Sequence, residues 1–428
     1  MNANLYSLFE SRFPQDRSAC CIETHDGLLY SWDDLERATA KIANLFASLN
    51  LPKDARIAAQ VEKSPEALML YLATIRAGYA YLPLNTAYRA TEVEYFIGDA
   101  EPSVVVCSPS NFGWVSKTAF KYGATHVFTL GDDRHGSLLA RAAHHSDRFD
   151  TVEKQPDDLA AILYTSGTTG RSKGAMLTHE NLASNAQVLQ AYWRWQAGDV
   201  LLHALPLFHV HGLFVASHGA LLNGSKMIFL PKFDSAQVIR HLPRSTVFMG
   251  VPTYYVRLLA DPAFDRDTCS NMRLFISGSA PLLIDTFNAF AHRTGHTILE
   301  RYGMSETTML ASNPYEGPRI GGTVGLPLPG VSIRVVNDSG DSGNVPCAAD
   351  EIGDIQVKGA NVFKGYWRMP EKTAEEFTSD GYFKTGDVGK FDARGYLSIV
   401  GRSKDLIISG GYNVYPKEIE SFIDEIDG

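Results

Sequence analysis

No stretch of about 18 consecutive apolar residues occurs in this chain, so nothing in it reads as a membrane-spanning helix. The first ten residues also lack the cationic start and apolar run of a secretion signal. Cysteine is scarce, with only Cys20, Cys21, Cys107, Cys269 and Cys347, an odd number without CxxC or Cys/His ligand spacing. That pattern excludes a disulfide framework and a zinc module and points to a reduced, cytoplasmic setting. Positive charge is in deficit too: 39 Lys and Arg against 48 Asp and Glu leave a net charge of −9. Nucleic acid and anionic membranes are therefore poor partners, and any anion site has to be built locally. No repeat of fixed period and no obligatory protein partner are visible.

What is present is ample apolar material: 45% of 428 residues are hydrophobic, enough for two or three domain-sized units with a sizeable core. Over residues 32–49, Leu35, Ala38, Ile42, Leu45, Phe46 and Leu49 recur at three and four, with Asp33 and Asp34 in the first turn, which predicts an amphipathic helix. Short apolar runs at 56–61, 79–84, 103–107 (Val-rich) and 126–130 alternate with helical patterns at 65–77, 92–98 and 137–144. Such alternation predicts an α/β fold of parallel sheets covered by helices. The rhythm continues through strands at 200–205, 226–230, 246–250 and 274–277 and helices at 181–193, 213–222 and 235–241, with Pro252 opening another helix. Beyond residue 313, glycines and prolines multiply between short β-rich runs, which predicts a small β subdomain over 314–400, drawn as a distorted barrel. The expected domain plan is 1–401, a hinge at 402–405, and 406–428 as the truncated start of a small α+β domain.

The chain is organised around residues 164–174, Y-T-S-G-T-T-G-R-S-K-G. Glycines and hydroxyl side chains cannot bury much apolar surface, but they can wrap N–H groups and hydroxyls around phosphate oxygens. Arg171 and Lys173 add charge. A flexible linker is the alternative, but linkers seldom lie between a buried strand and a helix. A P-loop is excluded, since that motif needs Gly-Lys-Ser/Thr opening the helix, whereas Lys173 is followed by Gly174.

Three further stretches carry chemistry. Residues 300–307 read E-R-Y-G-M-S-E-T; Mg2+ takes hard oxygen ligands and few carboxylates, which Glu306 beside hydroxyls can supply, although a helix-start glutamate is the plain alternative. Residues 382–387 read Y-F-K-T-G-D, where Asp387 can accept ribose hydroxyls or simply close a turn. Residues 401–405 read G-R-S-K-D, a hinge or a surface charge cluster.

Taken in order, these four motifs resemble the signatures of the adenylate-forming enzymes: acyl-CoA synthetases, peptide-synthetase adenylation domains and luciferases. The resemblance covers essentially the whole chain. It implies ATP, Mg2+ and CoA as cofactors or co-substrates, with an acyl-adenylate intermediate and release of AMP and pyrophosphate. Thr165, Ser166, Gly167, Thr168, Thr169, Gly170 and Lys173 would then hold phosphates, and Ser277, Gly278 and Ser279 would lie against adenine. Glu300, Arg301, Tyr302, Gly303, Met304 and Ser305 would complete the nucleotide site, with Glu306 and Thr165 on the metal, Asp387 and Arg402 at the ribose, and Lys404 at the hinge. The catalytic set implied is Lys173, Glu306 and Thr165. The family's second adenylation lysine, in a P-x-x-x-x-G-K segment, is absent before Gly428, so slow adenylation is the expectation for the chain as written.

Residues 205–214, L-P-L-F-H-V-H-G-L-F, and 248–259, F-M-G-V-P-T-Y-Y-V-R-L-L, resemble the malonyl-CoA synthetase branch of that family. A dicarboxylate such as malonate needs a cation for its second carboxylate, because burying it unpaired costs several kcal/mol. Arg257 is expected to supply it, with Arg301 as rival; a surface arginine on an amphipathic helix is the alternative for Arg257. His209 and His211 are either acid contacts or core histidines, and Met304 would limit chain length. Other readings are a short-chain or aromatic acyl-CoA synthetase, an adenylation domain loading a carrier protein, and a nucleotide-binding fragment without turnover.

Overall fold

The computed structural model describes residues 2–165, 171–338, 344–403, 407–409 and 412–414. Two large sheets dominate. One runs Leu326–Pro327, Thr308–Ser312, Leu299–Met304, Leu274–Ser277, Val247–Gly250, Val200–His203, Lys226–Phe229, Cys20–Thr24 and Leu29–Ser31 across its width. The other runs Gly365–Tyr366, Lys173–Thr178, Leu159–Thr165, Ala80–Pro83, Arg56–Gln60, Val104–Cys107 and His126–Thr129. The first is parallel in the middle and antiparallel at both edges, whereas the second is antiparallel only at the Gly365–Tyr366 edge and parallel through to His126–Thr129.

The pleat explains the layering, because successive strand residues face opposite sides. Ile57, Ala59, Val104, Val106, Leu201 and Met227 point into one shared core. Their neighbours Ala58 and Val105 face an outer layer formed with Val93, Phe96 and Val115, while Leu202 and Ile228 face another formed with Val238, Tyr255 and Phe290. Between the sheets lies the helix Pro65–Arg76, all of whose residues are buried. An all-round apolar pattern suits a central helix, whereas Trp32–Ser48 buries one face and is closed by a Ser31–Asp34 capping box.

Three expectations need correction. The glycine-rich stretch does not pass from strand to helix: Leu159–Thr165 turns back into Lys173–Thr178, pairing antiparallel from Leu159↔Thr178 to Thr165↔Lys173. The helix starts at the Thr178 cap, close to the expected 181–193; what was not expected is the strand before it, along which Ala175, Leu177 and Thr178 are buried. The helix expected at 213–222 opens as a π-helix, His211–Ser217, before His218–Asn223. The β subdomain is an open antiparallel sheet, Asn344–Pro346, Ser332–Asp338, Gly353–Lys358, Phe383–Phe391 and Leu397–Arg402. No barrel closes among the described residues, because the edge at Leu397 is already bonded to Val324 and Gly325. That last strand ends at Arg402, inside the expected hinge. Of 406–428, only the antiparallel pair Ile407–Ser409 and Tyr412–Val414 is described.

Candidate active site

A cleft of about 680 Å3 opens at the carboxyl ends of the parallel strands, where α/β sheets characteristically bind ligands. Thr165, Lys173, His209, Ser279, Arg301, Gly303, Met304, Ser305, Glu306 and Arg402 all line it. Residues up to 237 positions apart in sequence, Thr165 and Arg402, thus meet. Ser166, Gly167, Thr168, Thr169, Gly170 and Lys404 lie outside the described residues.

Glu306 stands at the tip of the hairpin between Leu299–Met304 and Thr308–Ser312. The hairpin is tight: a β-carbon at Gly303 would lie 2.0 Å from the Thr308 carbonyl oxygen, so only glycine fits. Asn361 Nδ2 donates to the carbonyls of Thr307 (2.7 Å) and Met309 (3.0 Å), and the Phe363 N–H donates to the Glu306 carbonyl at 2.7 Å. The tip is therefore bolted to the segment that follows Asn361. That segment places Tyr366, whose hydroxyl donates to Glu306 Oε1 at 3.0 Å. Burial raises the Glu306 pKa, opposed by the Tyr366 hydrogen bond and the Lys173 charge. Lys173 Nζ lies 4.3 Å from the Tyr366 ring centre and 3.6 Å from Glu376 Oε1. Tyr366 and Glu376 were not legible as site residues, since only strand pairing brings them in.

At the other wall, Tyr302 donates to Asp387 Oδ2 at 2.5 Å and Arg402 Nε lies 2.8 Å from Asp387 Oδ1. Asp387 is buried, which raises its pKa while Arg402 lowers it. Asp387 and Arg402, expected at the ribose, are paired with each other and with Tyr302, but only Arg402 lines the cleft.

The acid-facing end centres on Arg301. Its side chain is 3% exposed and makes no ion pair among the described residues. Burial pulls its pKa down to about 9, and its Nε has no hydrogen-bond partner. Nη2 lies 3.5 Å from Ser279 Oγ, which in turn is 3.3 Å from His211 Nδ1. Ser279 adopts φ +71, a left-handed conformation rare for serine. His209 opens into the cleft beside this group, while His211 is buried behind it; burial and the Arg301 charge lower both their pKa values. Ser277 and Glu300 are buried behind the wall without lining it.

Arg257 is not brought to the cleft. It is exposed on the helix Pro252–Leu259, with its guanidinium 4.9 Å from the Phe233 ring centre. The expected substrate cation is therefore placed elsewhere, because Tyr255 and Leu258 supply that helix's buried face and turn Arg257 outward.

A model of the AMP-binding enzyme family matches residues 9–367. The chain belongs to the AMP-binding enzymes. It is 35% identical to a malonate–CoA ligase of Arabidopsis thaliana, over 98% of this chain and 74% of that protein. A mitochondrial malonate–CoA ligase of Mus musculus, ACSF3, is 38% identical over 80% of this chain, which spans 64% of that protein's length. The crystal structure of ATP-bound MatB from Rhodopseudomonas palustris superposes with a TM-score of 0.97 at 55% identity, covering 100% of this chain and 84% of that one. Among the described residues of this AMP-binding enzyme, no helix is long and apolar enough to cross a membrane.

Proposed function

We propose that the chain is an ATP-dependent acid–thiol ligase that joins malonate to CoA through a malonyl-adenylate. In the first step a malonate carboxylate oxygen attacks the α-phosphorus of ATP and pyrophosphate leaves. In the second, the thiolate of CoA attacks the acyl carbon and AMP leaves. Lys173 and Thr165, with the glycine-rich stretch between them, would hold the departing phosphates, and Arg402, anchored by Asp387 behind it, would face the ribose. Of the residues expected at the nucleotide base, Ser279, Gly303, Met304 and Ser305 line the cleft and would face the adenine, while Ser277, Gly278 and Tyr302 do not line it and would act only from behind. Mg2+ fits the donor set: Glu306 is a single carboxylate near a lysine and hydroxyls, and no cluster of three potential metal-ligating His, Cys, Asp or Glu residues exists among the described residues. Such a site leaves the remaining coordination to phosphate and water, as Mg2+ prefers. The ion would neutralise phosphate charge there.

The observation that carries malonate is Arg301, a buried cation without a counter-ion, opening on the same cleft. Leaving a buried charge unpaired is costly, and a second carboxylate would satisfy it, bidentately if it meets the guanidinium edge. Ser279 and His209 would add hydrogen bonds, and Met304 would close a short pocket. Glu306 and Glu376 are the only carboxylates lining the cleft among the described residues, and both are beside Lys173. That leaves no anchor for an amino-acid ammonium near Arg301, which disfavours loading of an amino acid onto a carrier. The test is AMP formation with acetate, malonate, methylmalonate, octanoate and benzoate in the presence of ATP, Mg2+ and CoA. Malonate is expected to be preferred; preference for a monoacid would overturn the substrate.

A further inference from the structure

Behind the acid-facing segment, a lysine crosses between the two halves of the fold. Lys63 follows the strand Arg56–Gln60 of one sheet, and His203 ends the strand Val200–His203 of the other. Lys63 Nζ donates to the His203 carbonyl at 2.7 Å and lies 2.9 Å from His203 Nδ1. Across the imidazole, Nε2 lies 3.0 Å from the Gly212 carbonyl oxygen and 3.1 Å from Ser217 Oγ.

These contacts fix the proton. A carbonyl oxygen only accepts, so Nε2 must carry the hydrogen. The buried ring is held neutral, which leaves Nδ1 as an acceptor, and Lys63 is the donor that fills it. Gly212 belongs to the π-helix His211–Ser217, and its carbonyl is held jointly by His203 and by Ser217 Oγ, which donates to it at 3.0 Å, at the point where His211 turns toward Ser279 and Arg301. The turn has no slack: a β-carbon at Gly212 would fall 1.9 Å from the Pro206 carbonyl oxygen. A small shift there has to move His211.

Lys63 makes no ion pair among the described residues; burial of its Nζ pulls the pKa well below the ordinary lysine value, and Nζ rests 4.4 Å from the Phe229 ring centre. The residue as a whole is half-buried and lines a neighbouring cavity with Phe208 and Tyr254, so the His203 contacts, not its burial, mark it out.

We propose that Lys63 and His203 are positioning residues for the acid pocket: Lys63 locks the His203 tautomer, and His203 holds the π-turn that presents His211 to Ser279 and Arg301. This rests on the malonate reading of that pocket. Neither residue need touch substrate; both act through Gly212 and His211.

The experiment uses the whole chain and three variants, Lys63→Met, His203→Gln and the double substitution, with malonate KM, ATP KM and kcat from AMP formation. Lys63→Met should raise the malonate KM on the order of 10-fold, since a buried acceptor loses its donor and the pocket shifts. The ATP KM should stay within about twofold, because the phosphate end lies on other elements. His203→Gln retains an amide donor for Gly212 and has no tautomer to lock. Adding Lys63→Met to it should therefore raise the malonate KM by less than about threefold, a non-additivity expected only for coupled residues. An unchanged malonate KM in Lys63→Met, a parallel rise in both KM values, or full additivity would each overturn the proposal. Loss of kcat and thermal stability with constant KM would also overturn it, as the mark of a packing role. If the unsubstituted chain prefers a monoacid, the malonate reading fails by itself. The same KM comparison made with that acid then decides the positioning role.

Discussion

Gly278 and Arg301 are in direct contact: a β-carbon on Gly278 would lie 2.4 Å from Arg301 Cζ and 2.6 Å from both Nε and Nη1. The guanidinium fills space that only a glycine leaves at the end of the strand Leu274–Ser277. Gly278→Ala is therefore expected to push Arg301 out of line with the cleft. Its backbone is compatible with alanine, since Gly278 is not among the residues with positive φ. The malonate KM should rise on the order of 10- to 100-fold while the ATP KM barely moves, as misplacement of a positioning group predicts. Steady-state kinetics on both substrates checks this, and an unchanged malonate KM would contradict it.

The Glu306 and Tyr366 pair makes a second prediction. Glu306→Gln removes the carboxylate from the phosphate end, whereas Tyr366→Phe removes only the hydroxyl that donates to it at 3.0 Å. Glu306→Gln should lower kcat by about 10²-fold or more, the usual scale for one lost electrostatic group, and should raise the Mg2+ concentration needed for half-maximal rate. Tyr366→Phe should do less, about 1 kcal/mol or roughly fivefold, because the carboxylate loses one partner yet stays in place. A Mg2+ titration of rate separates them; equal metal dependence in both variants and the parent would count against Glu306 as the metal residue.

Stability should depend on pH through groups outside the cleft. Burial pushes the Glu300 carboxyl up to about 8 from 4.5, and its Oε1 has no hydrogen-bond partner. The folded state therefore holds a proton that the unfolded chain releases, so Glu300's contribution is favourable below about 4.5 and is lost as pH rises toward 8. His179 and His218 are buried in the opposite sense, pulled down to about 4 and about 3 from 6.5. Their contribution is intact above 6.5 and is lost as pH falls toward those values. Glu300→Gln should raise the unfolding midpoint at pH 8 relative to pH 5, read by thermal denaturation. A pH profile parallel to that of the parent would show that Glu300 is not responsible.

Much of this architecture was legible in the sequence. The alternation of β-rich runs and helical patterns predicted the parallel middles of both sheets, whereas the complete burial of Pro65–Arg76, with Glu66, Thr74 and Arg76 in it, is visible only in the fold. The motifs at 164–174, 300–307, 382–387 and 401–405 converge on one cleft as far as they are described. What sequence could not supply was pairing across long separations. Nothing near Lys173 indicates that Gly365–Tyr366 adds a strand beside it, or that Tyr366 reaches Glu306. The hairpin after Thr165 was missed because a glycine-rich turn between two apolar runs has the same local texture whether strand or helix follows. Arg257 follows Val256 and Arg301 follows Glu300, and neither local context decides which arginine is buried. Only packing shows that the helix of Arg257 turns it to solvent while the strand of Arg301 turns it inward.

The central claim is that Arg301 holds the second carboxylate of the acid, and the most direct measurement compares kcat/KM for malonate and acetate in the parent, Arg301→Ala and Arg257→Ala. Arg301→Ala should lose malonate activity by about 3 kcal/mol or more, the scale for removing one partner of a buried charge pair, and should lose far less with acetate. Arg257→Ala should change the malonate value by no more than about twofold, since an exposed cation–π contact contributes roughly 0.5–1 kcal/mol to stability and nothing to the cleft. Equal losses for malonate and acetate in Arg301→Ala, or a selective malonate loss in Arg257→Ala, would contradict the account.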